Sequence, residues 1–187
     1  MAHPTPCEDT VPHSDEPRIL AEGRFARLLS HRGWEWVERT NTSAAVVIVA
    51  ITDRRQLVLV EQYRIPLGCR VIELPAGLVG DLAENKQEGL MEAARRELLE
   101  ETGYEAANID YLIEGPSSAG LTSEVYTMLL ARDVRKVGPG GGDKTEDIQV
   151  HVVPLDEVDT WLESKRREGT MISPKIYSAL YFATSHV

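Results

Sequence analysis

The spacing of apolar positions along this chain changes several times, and each change marks an element. Residues 1 to 17 are rich in Pro, His, Asp and Glu with no apolar periodicity, so a disordered or loosely held arm is expected there. From Arg18 to Arg39 the pieces RILAEGRFARLLSH and WEWVERT read as short strands broken at Gly23 and at Arg32-Gly33, which predicts a small antiparallel unit over 18–41. AAVVIVAITD (44–53) and QLVLVEQYR (56–64) are near-continuous apolar runs, as buried strands are, joined by a tight turn at Asp53-Arg54-Arg55. CRVIELPAGLV (69–79) reads as a further strand, ended by Pro75. A helix follows over about 87–102, with Leu90, Ala94, Leu98 and Met91 on its apolar face and Gly103 at the C-cap position. NIDYLIEG and VYTMLLARDV are strands flanking the turn-rich loop 115–124, and IQVHVV alternates as a strand. PLDEVDTWLESKRREG then reads as a helix with Pro154 near its start, and Ser173-Pro174 introduces a terminal amphipathic helix, IYSALYFATSHV. Both helices are expected to pack on the sheet, and residues 42–187 form the main domain.

Composition narrows the class. A chain of 187 residues, 42% hydrophobic and 27% charged, suits a globular protein with a sizeable core. Its net charge of −10 argues against nucleic acid as a partner, but not against a small phosphorylated ligand, because a bound cation can reverse the local sign. Cys7 and Cys69 are too few for a disulfide framework and lack zinc-ligand spacing. No apolar run approaches the roughly 20 residues of a membrane span, and the opening segment lacks the basic and apolar regions of a signal peptide. The expectation is a soluble cytoplasmic protein that binds neither membrane nor nucleic acid.

The chemistry gathers on the central helix. Glu97, Glu100 and Glu101 stand at i, i+3 and i+4, so their carboxylates share a face within one turn and repel. A solvated acidic face is the plain reading; a hard divalent cation such as Mg²⁺ or Mn²⁺ among them is the sharper one. The surrounding spacing favours the second. Gly77 is followed by ten residues, Glu88, seven residues, Arg96-Glu97-Leu98, one residue, Glu100-Glu101, one residue, and Gly103-Tyr104. This resembles the Nudix box from Glu88 onward. The loop after Gly77 departs from the family pattern, with ten residues where the family has five; the polar, glycine-punctuated GDLAENKQ reads as a longer loop over an intact helix.

The resemblance implies an α+β fold, a mixed sheet sandwiched between helices, with the antiparallel N-terminal unit contributing to a homodimer. It implies that Glu97 and Glu101 are the main metal ligands, joined by the carbonyl of Ala76, and that Arg96 orients the acids of the box. Neighbours in sequence point about 100° apart on a helix, so Arg96 is expected to pair with Glu88 and Glu100 and not simply with Glu97. The stretches EQYR and ELPAG are similar to the ADP-ribose and nucleoside diphosphate sugar branch of the family. Arg64, at the polar end of an apolar strand, is a candidate to clamp a phosphate, with a surface salt bridge as the alternative, and Glu73 is a substrate-binding candidate. Ser118-Ala119-Gly120 stands about where ADP-ribose pyrophosphatases carry Ser-Pro-Gly, so Ser118 is a binding candidate while the missing proline loosens the match to ADP-ribose alone. Trp34 and Trp36 share one strand face, and Trp36 is a candidate for stacking on a base, with core or interface packing as the alternative. The glycine run before Asp143 reads as a mobile loop, a suitable carrier for a general base. In the resembling enzymes the base is a loop glutamate just before the equivalent of Glu146-Asp147, a position that is Lys144 here, so the base is assigned to Glu146, the alternative being an acid of the box, with Glu100 and Glu88 as further catalytic candidates. His151 reads as structural.

Two functions remain in contrast. One is metal-dependent hydrolysis of nucleoside diphosphate sugars, of the ADP-ribose and ADP-glucose type, to a nucleoside monophosphate and a sugar phosphate. The other is a non-catalytic module that senses a nucleotide sugar. Retention of the box acids favours the enzyme, and the missing proline with the longer box loop predicts activity on several such sugars.

Overall fold

The computed structural model describes residues 16–42, 44–80, 89–142 and 147–185. The expected arm falls almost entirely outside them, as do residues 81–87 of the GDLAENKQ insertion, Glu88 and Glu146. The first described unit is a three-stranded antiparallel sheet of β1 (Arg18–Glu22), β2 (Ala26–His31) and β3 (Trp34–Arg39), in that order. The strand-like pieces and the break at Arg32-Gly33 thus fold as expected. Both turn residues have positive φ, 50° and 81°, as a tight two-residue hairpin turn requires.

The main sheet is mixed and nine-stranded. Its centre is β4 (Ala44–Thr52) and β5 (Gln56–Arg64), the expected hairpin, turning through Arg55 at φ 57°. The two strands pair only at Ala50↔Val58 and Ile51↔Leu57 and then part. The next stretch of chain fills the fork. β6 (Cys69–Glu73) pairs with β5, the chain crosses at Leu74-Pro75, and β7 (Ala76–Leu78) pairs with β4. Pro75, having no N–H for a ladder, marks the crossing, and its carbonyl accepts the N–H of Ile48 at 2.8 Å. Strand β10 (Val125–Lys136) runs parallel to β4 on its other side, flanked by β8 (Tyr104–Glu105) and β9 (Asn108–Pro116). β11 (Ile148–Pro154) pairs antiparallel with β5, and β12 (Met171–Ile172) parallel with β6.

Helices cover both faces, because β4 and β5 are apolar on both. Helix α1 (Leu90–Thr102) buries Ala93, Ala94 and Leu98 against Val46, Ile48, Val58 and Leu129. On the opposite face α2 (Val158–Arg167) and α3 (Lys175–Ser185) bury Val158, Leu162, Ile176 and Ala179 against Val47, Leu57, Leu59 and Met128. No described helix is long and apolar enough to cross a membrane.

Three local expectations change. Pro154 ends β11, and α2 starts at Val158, since Leu155 to Glu157 form a turn whose first N–H is held by the Arg55 carbonyl at 3.0 Å. Met91 is exposed, while Ala93, not expected on the apolar face, is fully buried with Ala94 and Leu98. Within the described residues α1 begins at Leu90, where Glu92 accepts the N–H of Gly89 at 3.1 Å.

The glycine run is the larger correction. Through residue 142 it is strapped to the carboxyl end of α1. Val137 and Gly138 donate to the Gly103 carbonyl (2.8 and 3.1 Å), Gly141 to that of Glu101 (2.8 Å) and Gly142 to that of Glu100 (3.0 Å). Lys136 donates to the carbonyls of Thr102 (2.6 Å) and Pro139 (3.0 Å). A helix end exposes carbonyls without partners, and here the strap satisfies them. Burial pushes the pKa of the Lys136 ammonium below the usual lysine value. Glycine is needed for contact as well as for conformation. At Gly140 (φ 69°) a Cβ would stand 2.3 Å from the Thr102 carbonyl carbon, and at Gly103 (φ 70°) 2.2 Å from the Gly138 oxygen. Gly140→Ala is therefore expected to destabilise the fold by at least ~2 kcal/mol, read as a lower urea midpoint, with Gly120→Ala, which meets no atom within 4 Å, as the control.

Candidate active site

Residues of the box and the fork meet in one cleft of about 380 Å³. It is lined by Gln62 and Arg64 of β5, Glu73 of β6, Ala76 and Gly77 of β7, and Glu97 and Glu101 of α1. Arg39, Ser117, Glu124, Tyr126 and Lys175 complete it from the other side. The fork is what makes this possible, because it brings the β6–β7 crossing under the helix.

The acids are not on a solvated face. Glu97 and Glu101 follow Ala93 at helical spacing, on the edge of the buried stripe, so they point at β7 while Glu100 points outward. Glu101 is 4% exposed. One of its oxygens accepts the N–H of Ala76 at 3.1 Å. Glu97 lies directly over Gly77, where a Cβ would come within 1.9 Å of its carboxyl carbon. Only the absence of a side chain at residue 77 lets that carboxylate rest against the strand.

Arg96 organises the group, and here the structure corrects the sequence reading. Its Nη1 donates to Glu97 at 2.8 Å as well as to Glu100 at 3.1 Å, and its Nη2 to the Leu78 carbonyl at 3.2 Å. The 100° offset separates Cβ atoms. A long guanidinium drawn back over β7 by a main-chain acceptor closes the gap, so the adjacent pair does form. Glu88, its other expected partner, lies outside the described residues.

Arg64 of the strand end is fixed by Glu73, Nε to Oε2 at 2.6 Å, and Arg39 by Glu124 at 2.5 Å. Both pairs are partly exposed and contribute little stability, about 0–1 kcal/mol each. Their effect is to orient guanidinium groups at the cleft wall. Trp36 is elsewhere. It lines a separate groove of about 450 Å³ with His31, Arg32, Trp34 and loop residues Ala119, Gly120, Thr122 and Ser123. Ser118 is exposed, its carbonyl accepting the N–H groups of Leu121 and Thr122, and it is Ser117 that lines the cleft.

Glu146 lies outside the described residues, in the stretch 143–146. Both flanks of that stretch are held, Gly142 on the Glu100 carbonyl and Asp147 by Arg70, 2.9 Å to Oδ2. Arg70 also bonds Glu61 at 2.9 Å, and Glu61 bonds His151 at 2.9 Å, with the His151 ring 5.0 Å from that of Trp161. The hydrogen bond to Asp147, followed by that to Glu61, raises the Arg70 pKa above its ordinary value. Among cleft residues, Gln62 was legible from its period-two spacing to Arg64. Tyr126, Glu124 and Lys175 carry no local signal, since only the sheet order brings them to the site.

The donor set fits a hard divalent cation: two carboxylates from one helix edge and the main chain of Ala76, with no nitrogen or sulfur ligand. Among the described residues no three His, Cys, Asp or Glu side chains converge, so such a site draws on main chain or on residues beyond them.

An α+β sandwich whose acid-bearing helix lies on a glycine at a forked sheet defines the class. The NUDIX domain model matches residues 41–173, and the chain belongs to this family. It is 36% identical over 123 residues to the methanol dehydrogenase activator of Bacillus methanolicus, covering 65% of this chain and 64% of the relative. It is 31% identical over 122 residues to the ADP-ribose pyrophosphatase of Bacillus subtilis (strain 168), covering 65% and 63%. The chain thus spans just under two thirds of either relative. Among solved structures, an ADP compounds hydrolase matches with a TM-score of 0.65 at 24% identity, over 91% of this chain and 90% of that one, and shares its fold.

The contact between Gly77 and Glu97 yields a test. In Gly77→Ala the three atoms nearest the new methyl all belong to the Glu97 side chain, so Glu97 is expected to be displaced while the fold is kept. Mn²⁺ affinity by calorimetry is expected to fall about 10-fold or more, with the melting temperature shifted by only a few degrees.

Proposed function

We propose that this chain hydrolyses the diphosphate bond of nucleoside diphosphate sugars, of the ADP-ribose and ADP-glucose type, to a nucleoside monophosphate and a sugar phosphate, with Mg²⁺ or Mn²⁺. The observation that carries this reading is the convergence of Glu97 and Glu101 on Ala76 and Gly77, in a cleft whose wall also holds Arg64. The pyrophosphatase and ADP-compound hydrolase names among its relatives support the choice of substrate class.

Glu97, Glu101 and the Ala76 carbonyl are the proposed cation ligands, with Glu88 and Glu100 as auxiliary acids of the box. A bound divalent cation supplies neutralisation of the diphosphate oxygens. Arg96 holds Glu97 and Glu100 in place and limits their repulsion before the cation arrives. Arg64, held by Glu73, offers its remaining N–H groups to a phosphate oxygen. Glu146 is the proposed general base. It takes a proton from the attacking water as the water oxygen bonds to phosphorus, and the bond from that phosphorus to the bridging oxygen breaks, leaving the second phosphate on its sugar or nucleoside. Trp36 and Ser118, outside the cleft, are proposed to contact the more distant parts of the substrate. The N-terminal sheet is proposed to mediate a homodimer, its exposed Phe25 and Trp34 offering apolar surface. A cytoplasmic location and the absence of membrane or nucleic-acid partners belong to the same reading.

Two substitutions separate the acids. Glu101→Gln keeps the acceptor for the Ala76 N–H but removes a ligand charge, so Mn²⁺ affinity and turnover of ADP-ribose should both fall, turnover by about 100-fold or more. The metal-free variant should melt no lower than metal-free wild type, because clustered like charge is relieved. Full activity in Glu101→Gln would remove the cation site as drawn. Glu146→Gln should leave Mn²⁺ binding nearly intact and lower kcat alone; unchanged kcat would move the base into the box. A screen of nucleotide sugars with Mg²⁺ tests breadth, the expected outcome being several substrates of comparable kcat/KM and the contrary one a single substrate preferred about a thousandfold.

A further inference from the structure

Three cations line the cleft, and they are not equivalent. Arg39 and Arg64 each have their Nε within 2.6 Å of a carboxylate. The Lys175 side chain makes no hydrogen bond or ion pair with any described residue, although Glu73, Glu97, Glu101 and Glu124 line the same cleft. Its ammonium nitrogen lies 5.1 Å from the centroid of the Tyr126 ring.

The base of this side chain is fixed. Lys175 is the first residue of α3, just after β12, whose Ile172 pairs with Ile72 of β6. The Ser173 N–H donates to the Ile72 carbonyl at 2.9 Å, one residue from Glu73. Immediately after Lys175, Ile176 is fully buried. The backbone is thus tied to the strand that carries Glu73, and the ammonium lies over the Tyr126 ring of β10, which pairs with β4 on the side away from β7. An ammonium with three donors, presented into a cleft from a rigid base and left unpaired beside four acids, is placed for an anion that arrives with the substrate.

We propose that Lys175 is a substrate-binding residue that donates to a non-bridging phosphate oxygen of the bound diphosphate, in the cleft that the acids of α1 also line. This rests on the hydrolytic reading above for the identity of the ligand. The competing role is structural, a cation–π contact that only pins α3 to β10.

Kinetics on ADP-ribose with Mg²⁺ separate the two. Losing a charge-assisted hydrogen bond should raise KM about 10-fold or more in Lys175→Met, with kcat within about threefold. Lys175→Arg should restore most of the loss, and both variants should melt near the wild-type temperature. An unchanged KM in Lys175→Met, or a loss that follows a lowered melting temperature and is not restored by arginine, would overturn the proposal. Product inhibition identifies the phosphate: weaker inhibition by AMP assigns the nucleoside phosphate, weaker inhibition by ribose 5-phosphate the sugar phosphate, and undiminished inhibition by both counts against the contact. Calorimetric binding of the α,β-methylene analogue of ADP-ribose, which cannot be cleaved at the diphosphate bridge, tests Lys175 independently of turnover. Wild type that binds the analogue about 10-fold tighter than Lys175→Met but cleaves no nucleotide sugar would sink the hydrolytic reading and leave the phosphate contact standing. Equal binding by both would sink the contact.

Discussion

The close approach of a helix to a strand with no side chain is the constraint on which the rest depends. Glu97 can lie against β7 only because residue 77 has no Cβ, and Glu101, one turn on, then reaches the N–H of Ala76. Two carboxylates are thereby drawn to the inner edge of α1, where water alone cannot satisfy them. A buried carboxylate without compensation is costly. Arg96 supplies compensation from within the helix, reaching both Glu97 and Glu100 while anchored on Leu78. The site is therefore a balance of charge held in a narrow gap, and the gap is set by backbone packing.

Backbone packing is maintained from both ends of the helix. At the carboxyl end the strap from Lys136 to Gly142 satisfies the carbonyls of Glu100 through Gly103, two of which belong to the box acids themselves. The same glycines that read as a flexible loop allow the main chain to lie this close. Glycine-rich sequence is compatible with mobility and with tight contact, and only the presence of a partner at the distance of a missing Cβ separates them. From below, the fork between β4 and β5 receives β6 and β7, so that Glu73, Ala76 and Gly77 stand under the acids in a fixed register.

The strands, the helices and the acid cluster were legible because each rests on local rules. Alternation or continuous apolar runs mark β2 to β5 and β11, and i, i+3, i+4 spacing marks the shared face of Glu97, Glu100 and Glu101. Where expectations failed, a longer-range contact had overridden the local rule. Pro154 went to a strand because β11 pairs with β5 along its whole length. The Arg96–Glu97 pair formed because Leu78, far away in sequence, draws the guanidinium across.

The sequence by itself determined which residue types could carry the chemistry and the helical period that groups the acids, since both depend on neighbours within a turn. Tertiary structure alone decided which outlying residues share the cleft. Arg39, Tyr126 and Lys175 come from a separate sheet, a parallel strand and a terminal helix, and no local periodicity relates them. Their meeting follows from strand order: β10 lies parallel beside β4, β12 pairs with β6, and the chain bridges these neighbours over long intervals. It also decided that Trp36 lines a different groove from the acids, because the hairpin carrying it packs on the loop after β9 and not over the fork.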